Sequence, residues 1–309
     1  MIKKQKVVVI AGPTACGKTS MGVGLALSLE GEIINADSMQ VYREMNVGTA
    51  KPTIKEQKGV THHLFDVVDP DEEFNAAVYR IKALRVVDDI CSRGKNCFVV
   101  GGTGLYIKSL LEGIFDCPPV DPELKESLRR QCRLYGSRTL HESLKSRDPE
   151  YAKKLHPNDS VRIIRALEII HTTNRLPSDL IKSQSFDERP LDALKLGIKV
   201  DREELYRRIN KRSEAMVKAG LVEETEQLLS EGYSPDLKTM KAIGYRHMVK
   251  YLKGDWSLEK AIRELQGDTR RYAKRQLTWF RADRDMVWVT ADDFEHVLNK
   301  VRGFLSESE

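Results

Sequence analysis

Val7-Val8-Val9-Ile10-Ala11-Gly12-Pro13-Thr14-Ala15-Cys16-Gly17-Lys18-Thr19 is an apolar run that ends in G-x-x-x-x-G-K-T. An amphipathic pattern over residues 20–29 follows it. Strand, glycine loop and helix in that order is the setting in which this motif holds phosphates. The glycines let the backbone curl, so that successive N–H groups converge on an anion. The helix that begins there adds the positive end of its dipole. Lys18 brings a full charge, and the Thr19 hydroxyl is suited to Mg2+. A plain glycine-rich turn with an exposed lysine would satisfy the string but not the apolar strand in front of it. Gly12, Pro13, Thr14, Ala15, Cys16, Gly17, Lys18 and Thr19 are therefore read as a diphosphate- or nucleotide-binding loop. The loop alone does not say which reaction follows.

Composition narrows the class. The chain has 309 residues, 40% of them hydrophobic and 31% charged, which argues against both disorder and membrane residence. No apolar run approaches the roughly 18 residues that a membrane span needs. Lys3, Lys4 and Lys6 ahead of Val7 imitate the start of a signal peptide, but the apolar run is too short and leads straight into the loop. Cys16, Cys91, Cys97, Cys117 and Cys132 form no C-x-x-C pair and have no histidine at metal-ligand spacing. Scattered thiols of this kind suit a reducing cytoplasm. A net charge of +5 permits a nucleic-acid partner without demanding one.

Strands and helices alternate beyond the loop. Glu32-Ile33-Ile34-Asn35-Ala36-Asp37-Ser38 reads as a second strand that closes on a carboxylate. In sheets of this class strand ends lie at the ligand-binding edge, so Asp37 is expected near whatever the loop holds. Residues 62–70 read as a third strand closed by Asp69-Pro70, and residues 74–93 keep a helical period. Asn96-Cys97-Phe98-Val99-Val100 is a fourth strand, and it runs into a second glycine turn, Gly101-Gly102-Thr103-Gly104. From Pro118-Pro119 the alternation stops. Only helical patterns follow as far as residue 181, and strand-like sequence returns at Leu194-Lys195-Leu196-Gly197-Ile198-Lys199-Val200. Asp201 caps the next helix, residues 257–281 form a long one, and residues 286–289 and 293–305 a last strand and helix. The expected fold is α/β: a P-loop NTPase-like parallel sheet flanked by helices, with an all-helical insertion. The expected boundaries are 1–117 with 190–309 for the core and 118–189 for the insertion.

Three features separate this chain from an ordinary ATPase. The best apolar strand ends in glycines rather than in the aspartate that holds metal water in switch proteins. The acid that follows a strand most cleanly is Asp37, and motif logic leaves two roles open for it: holding metal water, or taking a proton from an acceptor. Second, Arg207, Arg208, Lys211 and Arg212 crowd one helix. One of them could reach an anion, although glutamates nearby would make most of them surface pairs. Third, residues 257–284 interleave Arg270, Arg271, Lys274 and Arg275 with Tyr272, Gln276, Trp279 and Phe280. Cations for phosphates and aromatics for stacking suit unpaired RNA. The alternative is a solvated helix with its aromatics in the core. In the insertion, Arg162 and Arg165 sit one turn apart. Two other functions fit these residues: phosphoryl transfer from ATP to a small acceptor, and a non-catalytic RNA-binding NTP switch.

Longer strings point further. Residues 12–19, Asp37-Ser38-Met39-Gln40-Val41-Tyr42-Arg43 with Gly48-Thr49-Ala50-Lys51-Pro52, His62-His63-Leu64, Gly101-Gly102-Thr103-Gly104-Leu105-Tyr106, Asn158-Asp159, Arg165-Ala166-Leu167-Glu168 and Ile243-Gly244-Tyr245-Arg246 resemble the bacterial tRNA dimethylallyltransferases, also called tRNA isopentenyltransferases. The resemblance covers residues 7–281. It implies that the loop holds the diphosphate of dimethylallyl diphosphate, with Mg2+ on Thr19 as cofactor. The acceptor would be N6 of the adenosine 3′ of the anticodon, flipped out of its stack. It also implies Asp37 as base, with Thr103 and Arg212 in the catalytic set. The tRNA contacts it implies are Asp37, Ser38, Met39, Gln40, Thr103, Lys125, Val161, Arg162, Ile163, Ile164, Arg165, Arg271, Lys274, Arg275, Gln276 and Phe280, around the anticodon stem-loop. The protein is expected to be a cytoplasmic monomer with no membrane partner. Cys16 stands where that family usually has serine. No Cys/His zinc module follows Arg281, so the shorter, bacterial type of recognition is expected.

Overall fold

The computed structural model describes residues 4–114, 121–183 and 191–307. Cys117, Pro118, Pro119 and the expected boundaries at 117/118 and 189/190 lie outside them. In chain order the elements are β1 (Gln5–Ala11), α1 (Lys18–Ser28), β2 (Gly31–Asn35), α2 (Ile54–Gln57), β3 (His62–His63), α3 (Ala76–Ser92), β4 (Asn96–Gly101), α4 (Gly104–Glu112), α5 (Pro122–Tyr135), α6 (Ser137–Arg147), α7 (Pro149–Ala152), α8 (Ser160–Thr173), α9 (Pro177–Ser183), β5 (Leu191–Lys199), α10 (Arg202–Lys218), α11 (Leu221–Ser230), α12 (Tyr245–Leu252), α13 (Leu258–Arg281), β6 (Val287–Thr290) and α14 (Phe294–Ser306). Contacts divide the chain into two units: Met1–Glu112 with Arg189–Glu309, and Gly113–Glu188. Among the described residues no helix is long and apolar enough to cross a membrane.

The first unit is built on one six-stranded sheet of order β3-β2-β4-β1-β5-β6, in which every pairing is parallel. The apolar run explains β1. Its residues Val7 to Ala11 are wholly buried, as a central strand covered on both faces must be. Ala11 pairs with Gly101 of β4, and Asn35 of β2 pairs with Val100. That register brings the ends of β1, β2 and β4 to one edge. The phosphate loop, Asp37 and the second glycine turn all leave the sheet there, where the strand order switches direction.

The third strand is shorter than residues 62–70 would allow. Leu64 and Asp66 both take positive φ, at 63° and 54°, which turns the chain out of the sheet after two residues.

The second unit is helical throughout its described part. Leu128, Leu140, Leu144, Ile163, Leu167 and Ile170 form its core. Asp148 ties two of its helices together, accepting bonds from Tyr151 N at 2.9 Å and Ser178 N at 2.9 Å.

Candidate active site

The loop after β1 folds as its glycines dictate. Gly17 sits at φ 95° as the residue before α1 and offers no side-chain cap, so the first N–H groups of that helix stay directed at the loop. Thr14, Lys18 and Thr19 line a cavity together with Asn35, Asp37, Gln40, His62, Phe65 and Arg212. A second, more open cavity shares Lys18, Thr19, Pro52 and Arg212 and adds Ala15 and Gly17. Lys18 curls back so that its Nζ donates to Pro13 O at 3.3 Å. Gly12 and Pro13 are buried beneath the loop. The Cys16 side chain belongs to the hydrophobic core, not to the cavity, so its weak thiol donor faces no anion.

Asp37 is held by a turn of short bonds. Its N–H donates to Asn35 Oδ1 at 3.1 Å, and its own Oδ1 accepts Met39 N at 2.9 Å. The other carboxylate oxygen has no hydrogen bond to the described residues. Ser38 N donates to Thr103 Oγ1 at 2.9 Å, while Thr103 N donates to Ala36 O at 3.0 Å. The end of β2 and the glycine turn after β4 are thereby laced together. Each glycine of that turn clears a specific neighbour. A Cβ on Gly101 would lie 2.1 Å from Ala36 O, one on Gly102 2.3 Å from Gln276 Nε2, and one on Gly104 2.1 Å from Trp279 Nε1.

Arg212 projects from α10 and donates from Nη2 to Ala50 O at 3.3 Å. Burial draws its pKa down from the ordinary guanidinium value, against the pull of the Glu56 and Asp37 carboxylates. A half-buried cation with one long backbone bond is suited to an anion in the same cavity.

Several of the expected RNA contacts are buried in the structure, and others are exposed. Gln276 is buried. Its Oε1 accepts Thr14 N at 2.9 Å and its Nε2 donates to Gly102 O at 2.9 Å, so the amide bridges the phosphate loop and the glycine turn. Phe280 is buried on the inner face of α13 with Ala273. Ile163 is fully buried and Ile164 packs against the same core, because residues 163, 167 and 170 form the inward stripe of α8. On that helix Val161, Arg162 and Arg165 point outward, and the two arginines pair with Asp159 and Glu168. Lys125 lies half-buried on α5. Lys274 and Arg275 are exposed on α13, and Arg271 pairs there with Asp268. Ser38, Met39 and Gln40 follow Asp37, with Gln40 Nε2 donating to Thr49 O and Ala50 O at 3.1 Å each.

Two residues named in the sequence without a site role stand at the site. Tyr272 lies beside Thr103, and burial, reinforced by the nearby Asp37 charge, pushes its phenol above the usual value. His62 donates from Nδ1 to Val60 O at 2.8 Å, which leaves Nε2 as a lone pair, buried without a partner among the described residues. Burial lowers the pKa of that ring and favours the neutral imidazole. The His62-His63-Leu64 string marks this residue in the sequence without saying what it does.

A family profile described as IPP transferase matches residues 40–283, and one described as isopentenyl transferase matches residues 5–72. The chain belongs to the IPP transferase family. It is 51% identical to the tRNA dimethylallyltransferase of Geobacter sulfurreducens over 286 residues, covering 93% of this chain and 92% of that one. To tRNA dimethylallyltransferase 2 of Geotalea uraniireducens it is 47% identical, over 98% of both chains. The solved full-length tRNA isopentenylpyrophosphate transferase of Bacillus halodurans superposes with a TM-score of 0.72 at 40% identity, covering 98% of this chain and 96% of the other. A eukaryotic dimethylallyltransferase acting on tRNA superposes at 0.83 with 28% identity, covering 98% of this chain and 80% of the other. These relatives are named as dimethylallyltransferases of tRNA, not as kinases or switches. Phosphoryl transfer and a non-catalytic switch, both compatible with the motif alone, lose their support.

Proposed function

We propose that this chain is a tRNA dimethylallyltransferase that moves the dimethylallyl group of dimethylallyl diphosphate to N6 of the adenosine 3′ of the anticodon. The observation that carries this reading is the Asp37 carboxylate lining one cavity with Thr14, Lys18, Thr19 and Arg212. In the reaction the allylic C–O bond breaks and its electron pair leaves on diphosphate. The bond from N6 to the allylic carbon forms, and the N6 proton passes to Asp37. Loop N–H groups, Lys18 and Arg212 stabilise the charge that develops on the leaving group. Ile33, Phe65 and Val100 line the same cavity and offer apolar surface to the prenyl chain. Thr103 and Ser38 hold the turn against which the adenine would rest.

Mg2+ fits this site. It takes one or two protein oxygens and completes its shell with phosphate oxygens and water. The Thr19 hydroxyl, which lines the cavity, is such an oxygen. Once bound, the ion would supply positive charge to the departing diphosphate. Arg162 and Arg165 on α8, and Arg271, Lys274 and Arg275 on α13, are the cations we assign to the anticodon stem-loop. The working state is a monomer in the cytoplasm.

Incubation of the protein with Mg2+, labelled dimethylallyl diphosphate and unmodified anticodon stem-loop RNA should give prenylated adenosine, identified by nucleoside mass spectrometry. Folded protein that binds diphosphate but leaves the RNA unlabelled would sink the proposal. Arg271→Gln, Lys274→Gln and Arg275→Gln together should weaken RNA binding and flatten the plot of log Kd against log salt by about 2 in slope. If neither affinity nor slope moves, α13 does not meet the phosphates.

A further inference from the structure

Glu224 lies on α11, in a stretch that no motif marks. Its carboxylate nonetheless accepts four hydrogen bonds. Oε2 accepts Asn46 N at 2.9 Å and Val47 N at 2.7 Å. Oε1 accepts Gly48 N at 2.9 Å and the Tyr245 hydroxyl at 2.7 Å. An ionised carboxylate offers about four lone-pair directions, and here four donors fill them. Three are consecutive backbone N–H groups, curled into a nest of the kind that normally holds an anion. The side chain of α11 supplies that anion from inside the protein.

The nest is closed from behind. Tyr245 is fully buried, and a Cβ on Gly48 would fall 2.4 Å from its ring. Residue 48 must therefore be glycine for the chain to pass between Tyr245 and the carboxylate. The segment that follows touches the site. Thr49 O and Ala50 O accept both bonds from Gln40 Nε2, and Ala50 O accepts the bond from Arg212. Gln40, Thr49 and Arg212 line the cavity with Lys18 and Asp37.

We infer that Glu224 is a positioning residue that fixes the 46–50 segment and, through Ala50 O, aims the Arg212 guanidinium at the diphosphate of the prenyl donor. This rests on the proposed prenyl transfer for the identity of the donor. Glu224 itself touches no substrate. It sets the geometry of a charge that does, and displacement of such a group by about 1 Å can change rates by as much as 10²-fold.

Glu224→Gln keeps the length and removes the charge, and sets an NH2 group against two donors. The expected result is a rise of roughly tenfold in the donor KM and in the inhibition constant of inorganic diphosphate, with a smaller change in kcat. Tyr245→Phe removes one of the four donors and should move both constants the same way by less. In an Arg212→Ala background the effect of Glu224→Gln on these constants should disappear, because the group it aims is gone. A purely structural role would lower the melting temperature of both variants and leave KM and the diphosphate constant within about twofold of the parent. That outcome overturns the inference, as does full additivity with Arg212→Ala. If Glu224→Gln fails to fold, Tyr245→Phe decides alone, and unchanged constants there overturn it. Diphosphate inhibition is read against the donor at saturating RNA, and diphosphate binding by calorimetry with neither RNA nor donor present. A parent protein that binds diphosphate and never prenylates RNA would count against the function, not against this positioning.

Discussion

Asp37→Asn should lower kcat by about 10²- to 10⁴-fold while changing the donor KM by less than about threefold, the range expected for loss of a general base. Asparagine preserves the local turn, because its Oδ1 can still accept Met39 N. Only basicity is deleted. The adenine amine is a modest nucleophile whose lone pair is delocalised into the ring, so it must shed a proton as the new bond forms. A single-turnover assay on stem-loop RNA, with donor affinity measured in parallel, separates the two roles open to this residue. If Asp37 acts by holding metal, donor affinity and turnover should fall together, and the assignment as base would be wrong.

Arg212→Ala should raise the donor KM by about 10- to 150-fold, the equivalent of one charged hydrogen bond of ~1.5–3 kcal/mol. The physical reason is the setting of the guanidinium. It is half-buried, its only bond to the described residues is the long one to Ala50 O, and it lines both cavities. An exposed arginine such as Arg207, paired with Glu204 at 2.7 Å, serves as the control and should give almost no change. Steady-state kinetics at saturating RNA decide between them. Equal KM values for the parent and Arg212→Ala would remove Arg212 from the site.

The parts of this protein that were legible in its sequence are those whose cause is local. The loop of residues 12–19 and the strand before it carry their own signal, since a buried central strand must be apolar and an anion cradle must be glycine-rich. The helix capped by Asp201 and the one begun at Ser257 announce themselves in the same way. Elsewhere the cause is distant. The brevity of β3 follows from positive φ at Leu64 and Asp66, residues whose types do not advertise it. The glycines of the second turn read as a turn signal, yet each is required by Ala36, Gln276 or Trp279, which the chain supplies from elsewhere. Composition groups Gln276 and Phe280 with the cations of α13, and phase does not. The inward stripe through 273, 276 and 280 shows that phase separates them from Lys274 and Arg275. Glu224 could not be found by motif at all, because its partners are backbone groups and backbone groups leave no trace in a sequence.

The amide of Gln276 gives the chain an order of assembly. The residue that closes the seam between loop and glycine turn lies 262 positions beyond the Thr14 amide it holds. A ribosome that has released only the first strands and helices has displayed the whole phosphate motif but not its keystone. A shortened chain ending before α13 should therefore hold diphosphate poorly, however well its sheet has formed, and the capacity to grip the prenyl donor should arrive late in synthesis, with the last quarter of the polypeptide.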